Sequence, residues 1–185
     1  MTRRSGLDGV VYGALQRFPD SRGSFAEVWR ASGLAGGGPF AGVQANLSVS
    51  AAGVLRGMHL HERQADRWIV LSGKAYVALV DVRPRLRDPR APVSVETAEL
   101  GPDDTGTIPP YVAHGFLALE PLELLYVVTN EYDGTDERGF AWDDVHASIA
   151  WPTVETSDGL PILSERDQAN PPLDELLRLL RPAGC

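Results

Sequence analysis

Residues 57–68 read GMHLHERQADRW and set His59 and His61 two positions apart, with Asp66 five further on. Alternate residues of an extended chain share a face, so these imidazoles would project together and Asp66 could join them across a short turn. His114, in PPYVAHGF, would have to arrive from a distant strand. Three imidazoles and a carboxylate form a ligand set suited to one divalent iron, manganese, nickel or zinc ion with positions left open for substrate. His59 could equally be the base of an enzyme that needs no metal, because a neutral imidazole with an ordinary pKa of ~6.5 accepts a proton near neutrality. A polar strand end without chemistry satisfies the same spacing.

Strands must carry these residues, and the sequence has the pattern for them. Nineteen glycines and fourteen prolines punctuate short segments of strand-like alternation, and helical periodicity is absent until the C-terminus. VQANLSVS (43–50) places Val43, Ala45, Leu47 and Val49 on one face and Gln44, Asn46, Ser48 and Ser50 on the other. The polar face would meet solvent or line a ligand cavity. RWIVLSGKAYVALVDVR (67–83) reads as two strands joined by a tight hairpin turn at Ser72-Gly73. ELLYVVTNEY (123–132) is a further strand, which would set Tyr132 on the face of Asn130 if it runs to its end.

NPPLDELLRLLRP (170–182) predicts a terminal helix, with acidic residues in its first turn and arginines in its last. Leucines 173, 176, 177 and 180 would pack on the outside of a sheet. GLAGGGPFAG (33–42) predicts a flexible loop. The pattern is that of one mostly β domain over residues 1–185, a sandwich or jelly-roll barrel with N-terminal strands and a late helix as extensions.

Composition narrows the function classes. Hydrophobic residues make up 43% and charged residues 23%, ordinary values for a soluble globular chain. A net charge of −8 without a basic cluster argues against a nucleic-acid partner, whose phosphates demand several cationic contacts. No run of ~18 apolar residues suggests a membrane span, and the opening MTRRSGLDGVVYG has no signal-peptide core. With Cys185 the one cysteine, the expectation is a cytoplasmic protein without an intramolecular disulfide.

Two resemblances bear on the histidines. The spacing of Gly53, His59, His61, Asp66 and Gly73 resembles the metal motif of the cupin superfamily, with aspartate where glutamate is usual and Tyr111 where a glycine is expected before His114. Taken together, FPDSRGSFAEVW (18–29), QANLSVSAAGVLRGMH (44–59), IPPYVAHGFLAL (108–119), LLYVVTNEYDGTDERGFAWDD (124–144), SIAWP (148–152) and LPILSERD (160–167) resemble, in order and spacing, the dTDP-4-dehydrorhamnose 3,5-epimerase family. That resemblance covers most of the chain. It implies a jelly-roll cupin, usually a homodimer, that epimerises a nucleotide-linked 4-keto-6-deoxysugar with no cofactor.

The resemblance also implies roles. His59 stands at the family's base position, Asp167 at that of its partner aspartate and Tyr132 at that of the acid on the opposite face. Arg22 and Arg56 match arginines near the sugar and diphosphate, and Arg166 stands where the family has a basic residue; guanidinium groups suit bidentate phosphate contact. Phe25 and Glu27 match residues that stack on and hydrogen-bond the thymine, Gln44 and Asn46 match polar pocket residues, and His114 matches a histidine that touches substrate. One position departs. Counting back from Gly73, Asp66 occupies the place of a lysine that stabilises the enolate, while Arg67 beside it has the parity of the other face.

Three readings follow: a cofactor-free epimerase, a metal-dependent cupin enzyme using one divalent ion on His59, His61, Asp66 and His114, and a nucleotide-sugar-binding cupin without turnover.

Overall fold

A computed structural model describes residues 3–4, 6–14, 17–20, 23–26, 43–156 and 159–180, and the backbone alone of 3–4, 11, 17–20 and 23–26. The strands are β1 (Arg3–Arg4), β2 (Val11–Ala14), β3 (Arg17–Asp20), β4 (Gly23–Ala26), β5 (Gln44–Ser50), β6 (Leu55–Leu60), β7 (Asp66–Ser72), β8 (Ala75–Asp81), β9 (Ser94–Leu100), β10 (Asp104–Ile108), β11 (Val112–Ala118), β12 (Leu122–Val128) and β13 (Arg138–Gly139). Helices α1 (Arg83–Arg87), α2 (Glu165–Gln168) and α3 (Leu173–Leu180) complete the elements. One sheet runs β1-β2-β10-β7-β12-β5, a second runs β13-β6-β11-β8-β9, and β3 pairs with β4. All the ladders are antiparallel, as in a jelly roll.

Side-chain parity builds the layers. Trp68 and Val70 of β7, Leu122 and Leu124 of β12, Val77 and Leu79 of β8 and Val112 and Phe116 of β11 meet in one buried core between the sheets. Met58 and Leu60 of β6, Ala78 and Val80 of β8 and Ala113 of β11 point the other way, into a second core. That core is closed by Leu173, Leu176 and Leu177 of α3, so the leucine stripe covers the outer face of the five-stranded sheet as its spacing predicts. β8 therefore buries both faces, which is why YVALV shows no polar alternation.

Three expectations are corrected. β7 and β8 do not form a hairpin: the turn at Gly73 carries the chain from one sheet to the other. Gly73 has φ +79°, and a Cβ there would collide with the carbonyl oxygen of Pro121, so the crossing needs a glycine. A second close approach, between β6 and β11, sets Gly57 against the Cα of Gly115. β12 ends at Val128, so Tyr132 sits in the following loop and strand parity does not orient it. The short helices α1 and α2 were not expected. The loop predicted at 33–42 lies outside the described residues.

Candidate active site

β5 turns its polar side inward. Ser48 and Ser50 are buried and Gln44 and Asn46 half-buried, while Leu47 and Val49 are 57% and 63% exposed. The Ser48 hydroxyl and the Gln44 and Asn46 amides face a cavity of about 520 Å³ between the sheets, into which β6, β7, β11 and β12 also project. Gln44 donates from its amide nitrogen to Asn46 Oδ1 at 2.7 Å and accepts the Tyr132 N–H at 2.9 Å, which ties the loop after β12 to the cavity rim.

His59 lies on the inward side of β6, opposite His114 in the β6–β11 register. Its Nε2 is 2.7 Å from Asp167 Oδ1. Asp167 is brought there by α2, where the Ser164 hydroxyl caps the helix by accepting the Asp167 N–H at 3.1 Å. Burial pushes the Asp167 carboxyl upward, yet hydrogen bonds from His59, the Ser164 hydroxyl and the Gly57 N–H outweigh it and hold the group below the ordinary aspartate value. A carboxylate on Nε2 fixes that nitrogen as the donor and leaves the lone pair on Nδ1, the nitrogen able to take a proton.

A second carboxylate approaches from the other side. Glu137 Oε1 lies 4.0 Å from His59 Nδ1, and Glu137 Oε2 accepts from Arg166 Nη1 at 2.8 Å. The hydrogen bond and charge of Glu137 raise the Arg166 pKa above its ordinary value, against a smaller lowering by burial. Tyr132, 66% exposed, lines the same cavity at its mouth. Arg56 also lines it, donating to Ser50 Oγ at 3.1 Å and the Val49 carbonyl at 3.3 Å.

Deeper in the wall stand His61, Asp66 and His114, whose donor atoms all lie within 4.8 Å of one another. Gln64 Nε2 donates to Asp66 Oδ1 at 2.8 Å and lies 3.1 Å from His61 Nε2; Trp68 Nε1 reaches Asp66 Oδ2 at 3.3 Å. Burial pushes the His114 pKa down to about 4, overcoming the opposing charge of Asp66, so this imidazole is neutral near neutrality. Of the four ligands expected for a metal, the structure groups these three and leaves His59 to Asp167. Arg67 points away from the cavity, as its parity predicts, and donates to Thr107 Oγ1 at 2.8 Å.

Arg22 and Glu27 lie outside the described residues; the Phe25 backbone belongs to β4, paired with Phe18 of β3. The remaining residues singled out from the sequence, Gln44, Asn46, Arg56, His59, His114, Tyr132, Arg166 and Asp167, come together around one cavity.

A model of the family dTDP-4-dehydrorhamnose 3,5-epimerase matches residues 4–175. The chain belongs to the dTDP-4-dehydrorhamnose 3,5-epimerase family. It is 35% identical over 182 residues to the dTDP-4-dehydrorhamnose 3,5-epimerase of Escherichia coli, covering 95% of this chain and 96% of that protein. Among solved structures, an epimerase of Mycobacterium tuberculosis superposes with a TM-score of 0.80 at 30% identity, covering 97% of this chain and 90% of that one. A 3′-monoepimerase from Streptomyces bikiniensis in complex with dTDP-quinovose superposes with a TM-score of 0.76 at 26% identity, covering 95% and 89%.

In this epimerase, Glu137, Gln64 and Asp136 are site residues that sequence reasoning missed. Asp136 organises the turn after β6: its carboxylate accepts the N–H groups of Glu62, Arg63 and Gln64, and its carbonyl oxygen meets His61 Nδ1 at 3.0 Å. Asp136 and Glu137 both fall in DGTDERGF, directly after Tyr132, so the motif carrying the tyrosine was the available signal.

Proposed function

We propose that this epimerase inverts carbon centres beside the ketone of a dTDP-linked 4-keto-6-deoxyhexose. His59 Nδ1 takes the C–H proton as base, Asp167 fixes its tautomer and stabilises the imidazolium, and Tyr132 returns a proton from the opposite face. The observation that carries this reading is the 2.7 Å His59–Asp167 pair inside the cavity. An imidazole so held is a competent general base, and its partner stays ionised because its pKa is lowered. Tyr132 stands in contact with water and can regain its proton between turnovers.

The proton transfers are made by side chains and call for no redox or group-carrying cofactor. Arg56 and Arg166 are the cations available among the described lining residues for the diphosphate. Gln44, Asn46 and His114 offer polar contacts to the sugar, and Arg22, Phe25 and Glu27 complete the nucleotide site by family resemblance. The reading includes a single jelly-roll domain, a homodimer and a cytoplasmic setting. The exposed apolar side of β5 supports the homodimer, and no described helix is long and apolar enough to cross a membrane.

Incubation with dTDP-4-keto-6-deoxyglucose in heavy water should place deuterium beside the ketone, followed by mass spectrometry and proton NMR. A folded protein that binds dTDP by calorimetry yet exchanges no proton would replace this reading with that of a binding cupin.

A further inference from the structure

The protonation of the deeper cluster is set by its outer neighbours. His61 Nδ1 lies 3.0 Å from the Asp136 carbonyl oxygen, and His114 Nδ1 lies 3.2 Å from that of Val112. A carbonyl oxygen only accepts, so each Nδ1 carries a proton and each Nε2 presents a lone pair. Both lone pairs converge with the Asp66 carboxylate, His114 Nε2 standing 3.7 Å from Oδ2. Among the described residues, no hydrogen-bond donor reaches His114 Nε2, and no lysine or arginine comes within ion-pair distance of Asp66. The described acidic side chains lining the cavity are three, Asp66, Glu137 and Asp167, against two arginines, Arg56 and Arg166.

Imidazoles anchored through Nδ1–H to backbone carbonyls, with Nε2 aimed at a carboxylate, have the outer-neighbour arrangement of metal ligands. We propose that His61 Nε2, the Asp66 carboxylate and His114 Nε2 bind one divalent transition-metal ion, of the zinc, cobalt or manganese class, in the wall of the sugar cavity. Ligand atoms around such an ion at ~2.1 Å stand about 3.4 Å apart, so the His114–Asp66 pair at 3.7 Å needs little adjustment, and the three donors, all within 4.8 Å of one another, close on the ion by contraction. Gln64, on a rotatable side chain, gives up its bridge between His61 and Asp66. Three protein ligands leave a coordination position open to the cavity.

The site stands on geometry alone; its use rests on the epimerase reading. An ion there supplies the positive charge that the enolate oxygen requires, at the wall where Asp66 would otherwise repel it. The family resemblance sets a lysine at this position, so charge would be conserved while its carrier changes from an ammonium to an ion.

The test uses protein purified without an affinity tag, stripped with a chelator and titrated with Co²⁺. One Co²⁺ per chain, with a visible ligand-field band and micromolar or tighter affinity, is expected. His61→Ala and Asp66→Asn should each weaken binding by more than about tenfold while the circular dichroism stays that of the native fold. Absence of Co²⁺ binding below millimolar concentration, or affinity unchanged in both folded variants, overturns the site. Asp66→Lys should abolish binding and make deuterium exchange independent of metal. Wild-type exchange that is equal with and without bound ion overturns the enolate role alone. Loss of exchange in His59→Asn with Co²⁺ binding intact separates this site from the base.

Discussion

Asp167→Asn is the most direct perturbation of the proposed base, because it changes charge and hydrogen-bonding sense without changing shape. The native carboxylate receives His59 Nε2–H, the Ser164 hydroxyl and the Gly57 N–H. An asparagine can offer its oxygen to the last two groups, which turns its NH₂ toward His59. Nε2 must then accept, the proton moves to Nδ1, and the nitrogen proposed to take the substrate proton no longer has a lone pair. Restoring the productive tautomer breaks a hydrogen bond in the buried pair, and the imidazolium loses its charged partner as well. The same exchange behind a catalytic histidine elsewhere costs about 10⁴-fold, which corresponds to about 5.5 kcal/mol of barrier. The expected result is a 10³- to 10⁴-fold fall in kcat for deuterium exchange, on the order of that analogy, with KM nearly unchanged because Asp167 acts on His59. Stability gives a second readout. The folded pKa of Asp167 is lowered, so its contribution is present above the ordinary value of 3.8 and is lost as pH falls through the folded value. The variant lacks that contribution, so the Tm gap from wild type should be full near neutrality and should close on acidification. Retention of kcat within tenfold in a folded variant refutes the assignment of His59 as a base held by Asp167.

Tyr132→Phe should keep deuterium exchange, since His59 can return a deuteron to the face it came from, and should lose inversion at least 100-fold, read by NMR of the product. Asp136→Ala removes the acceptor of three backbone N–H groups beneath His61 and should cost about 1–3 kcal/mol in urea denaturation. Leu177→Ala, in the helix that closes the outer core, should cost about 2–5 kcal/mol by the same measurement and leave KM unchanged.

Much of this was legible in the sequence because strand alternation and motif order are local signals. β5 shows both the strength and the limit of such reading. Its two faces were assigned residue by residue, yet periodicity could not say which face turns inward. In this chain the polar one does, and the apolar one is left bare. The hairpin at Ser72-Gly73 failed for a related reason. A glycine with positive φ marks a tight corner, but whether the chain re-enters the same sheet depends on partners far along the sequence: β7 pairs with β10 and β12, and β8 with β9 and β11. Glu137 and Asp136 were missed on the same ground. Their contacts to residues 59 and 61–64 span more than seventy positions; DGTDERGF marks them as neighbours of Tyr132 but does not show what they reach.

The packing also explains why the chemistry sits where it does. Trp68 lies edge-on to Phe116 at 5.7 Å on the core side and edge-on to His114 at 5.3 Å on the cavity side. Its indole closes the floor between dry core and polar cavity, and a buried indole N–H requires an acceptor. Asp66 Oδ2, two residues earlier on the same face of β7, is that acceptor. The carboxylate that departs from the family pattern is therefore held by the residue that seals the core, and the alternation of β7 turns both inward, between the sheets. His61 cannot follow it by strand geometry, being past the end of β6, and depends on the Asp136 clamp for its direction. Two unrelated constraints thus bring His61 and Asp66 together, one from the core and one from a loop. That convergence is what a bound cation would exploit, and it leaves His59, opposite His114 on β6 and lining the same cavity, free to pair with Asp167.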